Sequence, residues 1–180
     1  MILEVCVDST ASALAAKRGG ADRLELCADL IVGGTTPSLA LVRQVKAEIG
    51  LPVRALLRPR FGDFCYDRYE LAQMEQLAAE LVAAGADGIV TGALTPEGDL
   101  DTAALRPIYA AARRAAREAG RPAACTLHRA FDVCRDPFAA LEAAKELQLA
   151  TILTSGQAAS APPVSYTPLR AHETCADLVC

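Results

Sequence analysis

LEVCVD at Leu3–Asp8 and LELCAD at Leu24–Asp29 decide how this chain folds. Each is a short run of the kind that makes a buried strand, yet each carries Glu, Cys and Asp at alternate positions. Successive side chains point to opposite faces of a strand. Glu4, Cys6 and Asp8 therefore share one face, and Leu3, Val5 and Val7 the other. Glu25, Cys27 and Asp29 repeat that parity. As neighbours in a parallel sheet, ~4.8 Å apart, the two strands would pack their apolar faces on helices. Their polar faces would turn to a common interior, where Cys6 and Cys27 approach one another.

Outward from these strands the chain alternates strand and helix. Thr10–Arg18 has helical spacing, with Ser9 or Thr10 as its cap and Gly19-Gly20 as its end. A Gly-Gly-Thr-Thr-Pro-Ser loop leads into a helix over Leu39–Ile49, with Pro37 suited to its first turn. Pro52–Arg58 reads as the third strand, Tyr66–Ala84 as a long amphipathic helix, and Gly88–Leu94 as the fourth strand. Thr102–Ala119 follows as a helix capped by Asp101, and Ala123–Phe131 as the fifth strand. Asp136 and Pro137 open a helix to about Leu147, and Thr151–Ser155 is the sixth strand.

Six such periods without a hairpin signal imply a parallel sheet with right-handed crossovers. An open doubly wound sheet and a (β/α)8 barrel both satisfy that. Parallel strands covered on both faces read as unbroken apolar runs. Here Glu4, Glu25, Arg54, Arg58 and His128 interrupt them, and a barrel interior can pair such groups near its mouth. No G-x-G-x-x-G follows a strand, so a dinucleotide-binding sheet has no support. The expectation is an α/β, TIM-type (β/α)8 barrel that is incomplete, with about six βα units over residues 1–160. Six strands cannot close at the normal stagger. Open edges on the first and sixth strands then invite homo-oligomers.

Composition narrows the class. The 180 residues are 52% apolar, enough for one domain with a sizeable core, and Ala-rich faces suit close packing of helices on a sheet. A net charge of −4, with both signs interspersed, offers no basic stripe for nucleic acid and no polybasic membrane patch. The N-terminus lacks the order of a secretory signal, and no apolar run is long enough to cross a bilayer. A soluble cytoplasmic protein is expected. Seven Cys at irregular spacing argue against a disulfide framework and for free thiols.

Two kinds of site can be built from these residues. Cys6 and Cys27 side by side would favour a soft ion such as Cu(I), with both sulfurs as direct ligands. The same pair could equally be small apolar filler. Glu4 and Glu25 need partners if buried, and Arg58 is the expected one. Arg58, Arg60, His128 and Arg129 fall at or just after strand C-termini, where barrel sites are built. Backbone N–H groups at Gly33, Gly34 and Thr35, and at Ser155 and Gly156, could hold an anion together with Arg60. Ordinary capping explains those loops as well. On the anion reading Glu25 and His128 act as general base and acid beside Arg58, on a small phosphorylated or carboxylated metabolite.

Six motifs in order extend this reading: LEVCVDS (from Leu3), GGADRLELC (from Gly19), GGTTPS (from Gly33), RPRFGDFCY (from Arg58), LHRAFD (from Leu127) and LTSG (from Leu153). Together they resemble the CutC family over about Met1–Ser160. The resemblance implies a TIM barrel, a cytoplasmic location and the binding or handling of copper. The family continues through two more βα units, whereas this chain ends in APPVSYTPLRAHETCADLVC. SYTPLRAHET within it resembles translated sequencing-adapter DNA. Residues 161–180 are accordingly expected to be a non-native or disordered tail, the alternative being a genuine tail with His172, Cys175 and Cys180 as ligands.

Overall fold

The computed structural model describes residues 1–158; the expected tail at 161–180 lies outside the described residues. Strands and helices alternate as β1 (Glu4–Val7), α1 (Thr10–Arg18), β2 (Arg23–Leu26), α2 (Leu39–Ile49), β3 (Val53–Leu56), α3 (Arg68–Ala83), β4 (Gly88–Thr91), α4 (Thr102–Glu118), β5 (Ala124–Leu127), α5 (Pro137–Glu146) and β6 (Thr151–Ile152). The sheet runs β1-β2-β3-β4-β5-β6, and each adjacent pair is parallel. Strand order thus never reverses, as it must in a doubly wound sheet. The architecture is the TIM type, present as an open six-stranded part of the barrel.

Helix ends follow local chemistry. Ser9 caps α1 in a reciprocal box with Ser12, and Asp101 caps α4 by accepting from the Ala104 N–H. Asp67 and Glu70 form the box that starts α3 two residues later than its periodicity suggests. Pro37 lies just ahead of the α2 cap, Ser38, rather than in the first turn. The fifth strand is shorter than expected. It ends at Leu127, and His128 then caps a 3-10 turn over Arg129–Val133.

Parity separates two apolar regions. Leu24, Leu26, Val53, Ala55, Ile89 and Leu127 point outward and meet Val45, Ile49, Met74, Leu81 and Ile108 from the helices. Each fully buried Leu or Ile there contributes on the order of 2 kcal/mol. Cys27, Leu56 and Val90 form a separate inner cluster with Cys6 packed on it. Below that cluster the interior is polar. Arg23 pairs with Glu4, and Arg54 lies 3.9 Å from the same carboxylate. Nη1 of Arg54 also donates to Thr126 Oγ1 and Thr151 Oγ1, each at 2.8 Å, which ties β3 to β5 and β6 across the interior. The partner expected for Glu4 was Arg58. It sits four residues beyond Arg54, too far up the strand to reach that layer. Gly88 leaves no room for a side chain beside β5, since a Cβ there would lie 2.0 Å from the Ala124 carbonyl oxygen.

Candidate functional site

A cavity of about 500 Å³ lies at the C-terminal ends of the strands. Cys6, Glu25, Arg58, Phe64, His128 and Arg129 line it, with Leu30, Gly33, Leu56 and Leu153 completing the wall. Cys6, Glu25 and Leu56 sit on inward strand faces and the rest on the segments that follow β2, β3, β5 and β6, so parity places the first three and loop conformation the others.

The twin hexapeptides pair in register, with Val5 opposite Leu24 and Cys6 opposite Glu25. Cys6 Sγ and Cys27 Sγ are 3.5 Å apart, and Cys6 Sγ is 3.8 Å from Glu25 Oε1. Cys27 also faces the Val7 carbonyl at 3.4 Å. The expectation that Asp8 and Asp29 join them inside is corrected. Both follow the last strand residue, both are exposed, and Asp29 turns left-handed at φ 51°. Asp8 instead accepts from the Ser12 hydroxyl, and Asp29 from the Thr35 hydroxyl at 2.7 Å. The remaining cysteines stand apart. Cys125 faces the helices in the outer core, Cys65 is exposed, and Cys134 donates to the Phe131 carbonyl.

Burial sets the charge states. The Cys6 thiol is pushed far above its ordinary range by its hydrogen bond with Cys27, by burial and by the Glu25 charge. Burial first, and then the Glu4 charge, raise Glu25 to about 7. His128 is lowered to about 3 by burial and by the Arg58 charge. Its Nδ1 accepts from the Ala130 N–H at 3.1 Å, so a neutral ring carries its proton on Nε2. At neutral pH His128 is therefore a hydrogen-bond donor, not the general acid expected from its position.

Arg58 is also placed differently from expectation. Nη1 donates to the Gly33 and Gly34 carbonyls, each at 3.3 Å, and Nη2 to Gly62 at 2.7 Å. Its guanidinium lies 4.9 Å from the Phe64 ring centroid. It thus clamps the loops after β2 and β3 rather than pairing with Glu4 or Glu25. Gly34 has φ 86°, and a Cβ there would meet Leu56 Cδ2 at 2.8 Å. Both facts demand glycine in that tight loop.

The expected anion cradle is largely engaged within the protein. Gly33 N–H donates to Leu30, Gly34 N–H to Asp29, and Thr35 N–H to Ala28. Arg60 binds Glu70 at 2.6 Å and Asp63 at 3.1 Å. Gly156 N–H donates to the Thr154 hydroxyl. Ser155 N–H donates to Asp132, as do Gln157 N–H, the Thr154 hydroxyl and Arg129 Nε, at 2.6–3.0 Å. Burial would raise Asp132, but these bonds outweigh it and hold the carboxyl below its usual range. Sequence reasoning passed over Asp132. Its signal was an acidic residue inside LHRAFD, upstream of an N–H-rich LTSG loop.

A sequence model described as the CutC family matches residues 1–166. A human protein named copper homeostasis protein cutC homolog is 44% identical over 160 residues, covering 89% of this chain and 56% of its own length. A family protein CutC of Salmonella enteritidis is 45% identical over 160 residues, 89% and 61% of the two chains. The chain thus spans about three-fifths of the curated relatives it matches. Among solved structures, the putative copper homeostasis protein CutC of Streptococcus agalactiae superposes with a TM-score of 0.77 at 30% identity, over 88% of this chain and 75% of that one. A phosphonopyruvate hydrolase superposes at 0.64 with 15% identity, over 99% and 73%, which is a likeness of fold.

Proposed function

The chain belongs to the CutC family, and from that premise we propose that it is a cytoplasmic copper-binding protein that takes Cu(I) between Cys6 and Cys27. The single observation carrying this is the 3.5 Å separation of the two sulfurs. Metal–thiolate bonds of ~2.3 Å let two sulfurs up to ~4.6 Å apart share one ion. Soft sulfur donors favour Cu(I) over the hard cations that oxygen ligands select. Among the described residues no group of three or more His, Cys, Asp or Glu side chains is gathered to hold a metal. A two-coordinate soft ion fits this donor set better than four-coordinate zinc. Copper here is cargo.

Binding must displace the thiol protons. Glu25, already facing Cys6, is placed to receive one of them. A reducing compartment keeps such a pair as thiols, and no helix among the described residues is long and apolar enough to cross a membrane. The test is an anaerobic Cu(I) titration against a chromophoric chelator. One ion per chain is expected for the wild type, and at least a hundredfold loss of affinity for the Cys6→Ser/Cys27→Ser double variant. Equal affinity in a folded double variant removes the site.

A further inference from the structure

Among the described residues, six arginines (Arg23, Arg54, Arg60, Arg121, Arg129 and Arg135) each lie within 4 Å of a carboxylate. Arg58 has none, although it is only 8% exposed. Three backbone carbonyls hold its two terminal nitrogens, and its Nε is a buried donor without a partner. His128 is 4% exposed and leaves Nε2 in the same condition. Phe64 lies against both, 4.9 Å from the guanidinium and 4.6 Å from the imidazole centroid. Both side chains line the same cavity of about 500 Å³.

A buried cation is costly unless a counter-charge meets it. Carbonyls solvate a guanidinium without neutralising it. Glu25 shares the cavity, but its charged neighbours are Glu4, Arg54 and Arg23 rather than Arg58. Asp132 is already surrounded by Arg129, Thr154, Ser155 and Gln157. No carboxylate among the described residues neutralises Arg58, which leaves that role to a bound anion. Its class follows from the donors that remain. Phosphate sites usually need a cradle of backbone N–H groups, and those of residues 33–35 and of Ser155 and Gln157 all donate within the protein. One cation and two side-chain donors match the two oxygens of a carboxylate. Leu56 and Leu153 give the rest of the wall an apolar character.

We propose that this cavity binds a small carboxylic acid with an apolar body, its carboxylate anchored by Arg58 and His128. The site does not depend on copper, and the metal-free protein is sufficient for it.

The experiment is calorimetry and saturation-transfer NMR on the full 180-residue chain with a chelator present. The probes are pyruvate, 2-oxoisovalerate and benzoate, with inorganic phosphate as the contrasting oxyanion and methyl benzoate as the uncharged control. Saturable one-to-one binding of at least one carboxylate is expected, with neither phosphate nor the ester competing. Leu153→Trp, which narrows the cavity from its wall, and His128→Phe, which keeps a ring but removes the donor, should each weaken binding at least tenfold. Either variant suffices if the other fails to fold. The Cys6→Ser/Cys27→Ser protein should still bind the carboxylate, so failure of the copper reading leaves this one standing. No binding of any carboxylate to folded wild type, phosphate binding as well as carboxylate, or unchanged affinity in a folded variant each overturns the proposal.

Discussion

Replacing His128 by asparagine exposes a balance between two buried groups in the metal-free protein. In the wild type, folding lowers His128 from 6.5 to about 3 and raises Glu25 from 4.5 to about 7. Arg58 is the charge acting on His128, while Glu4, Arg54, Arg23 and the Cys6 thiol act on Glu25. Between pH 3 and 6.5 the unfolded chain binds a proton at His128 that the folded chain does not. That stability is complete above 6.5 and is lost as pH falls. Between 4.5 and 7 the folded chain holds a proton on Glu25 that the unfolded chain releases. That stability is complete below 4.5 and is lost as pH rises. Each group alone gives a slope of about 1.4 kcal/mol per pH unit, with opposite signs over the shared window from 4.5 to 6.5. Wild-type stability should be nearly flat there. The introduced amide oxygen keeps an acceptor for the Ala130 N–H, but the new side chain cannot titrate. His128→Asn should therefore lose about 2.2 kcal/mol as pH rises from 4.5 to 6.5, the slope being only half maximal at the lower end. With a urea slope of about 2 kcal/mol/M, the midpoint falls by roughly 1.1 M. Urea unfolding at half-unit pH steps measures this, and Glu25→Gln should tilt the opposite way. Parallel profiles for wild type and His128→Asn would refute the assignment of a neutral buried His128.

Two further substitutions probe the frame of the site. Gly88→Ala would set a Cβ 2.0 Å from the Ala124 carbonyl oxygen, so β4 and β5 must part. The expected cost is at least ~3 kcal/mol, the upper end for overpacking. Gly92→Ala meets only side-chain atoms of Leu127 and His128 at 2.8–2.9 Å and should cost less; equal unfolding midpoints would contradict this. Arg54→Met removes the cation shared by Glu4, Thr126 and Thr151. About 2 kcal/mol should be lost, since Glu4 keeps Arg23 while two threonine hydrogen bonds to a charged group go, with hydrogen exchange rising first in β6.

Period and composition were sufficient for the architecture. Alternation of 2- and 3.6-residue patterns marked six strands and five helices, and polar residues at inward strand positions chose a barrel over an open sheet. The same parity brought Cys6 and Cys27 together, because neighbouring strands fix the side and height of each side chain. It failed where the strand ended. Asp8 and Asp29 leave the interior because alternation holds only while the backbone stays extended. Identity could not say which charge meets which. Glu4 found Arg23 and Arg54 in its own layer, Arg58 turned to three loop carbonyls, and Asp132 took the N–H groups of the LTSG loop. Those choices depend on distances between residues far apart in sequence, and burial then sets the proton on each group. The sequence by itself determined the staves and their inward faces. Tertiary structure alone decided the pairing of charges, because a charge must find its partner in three dimensions before water is excluded.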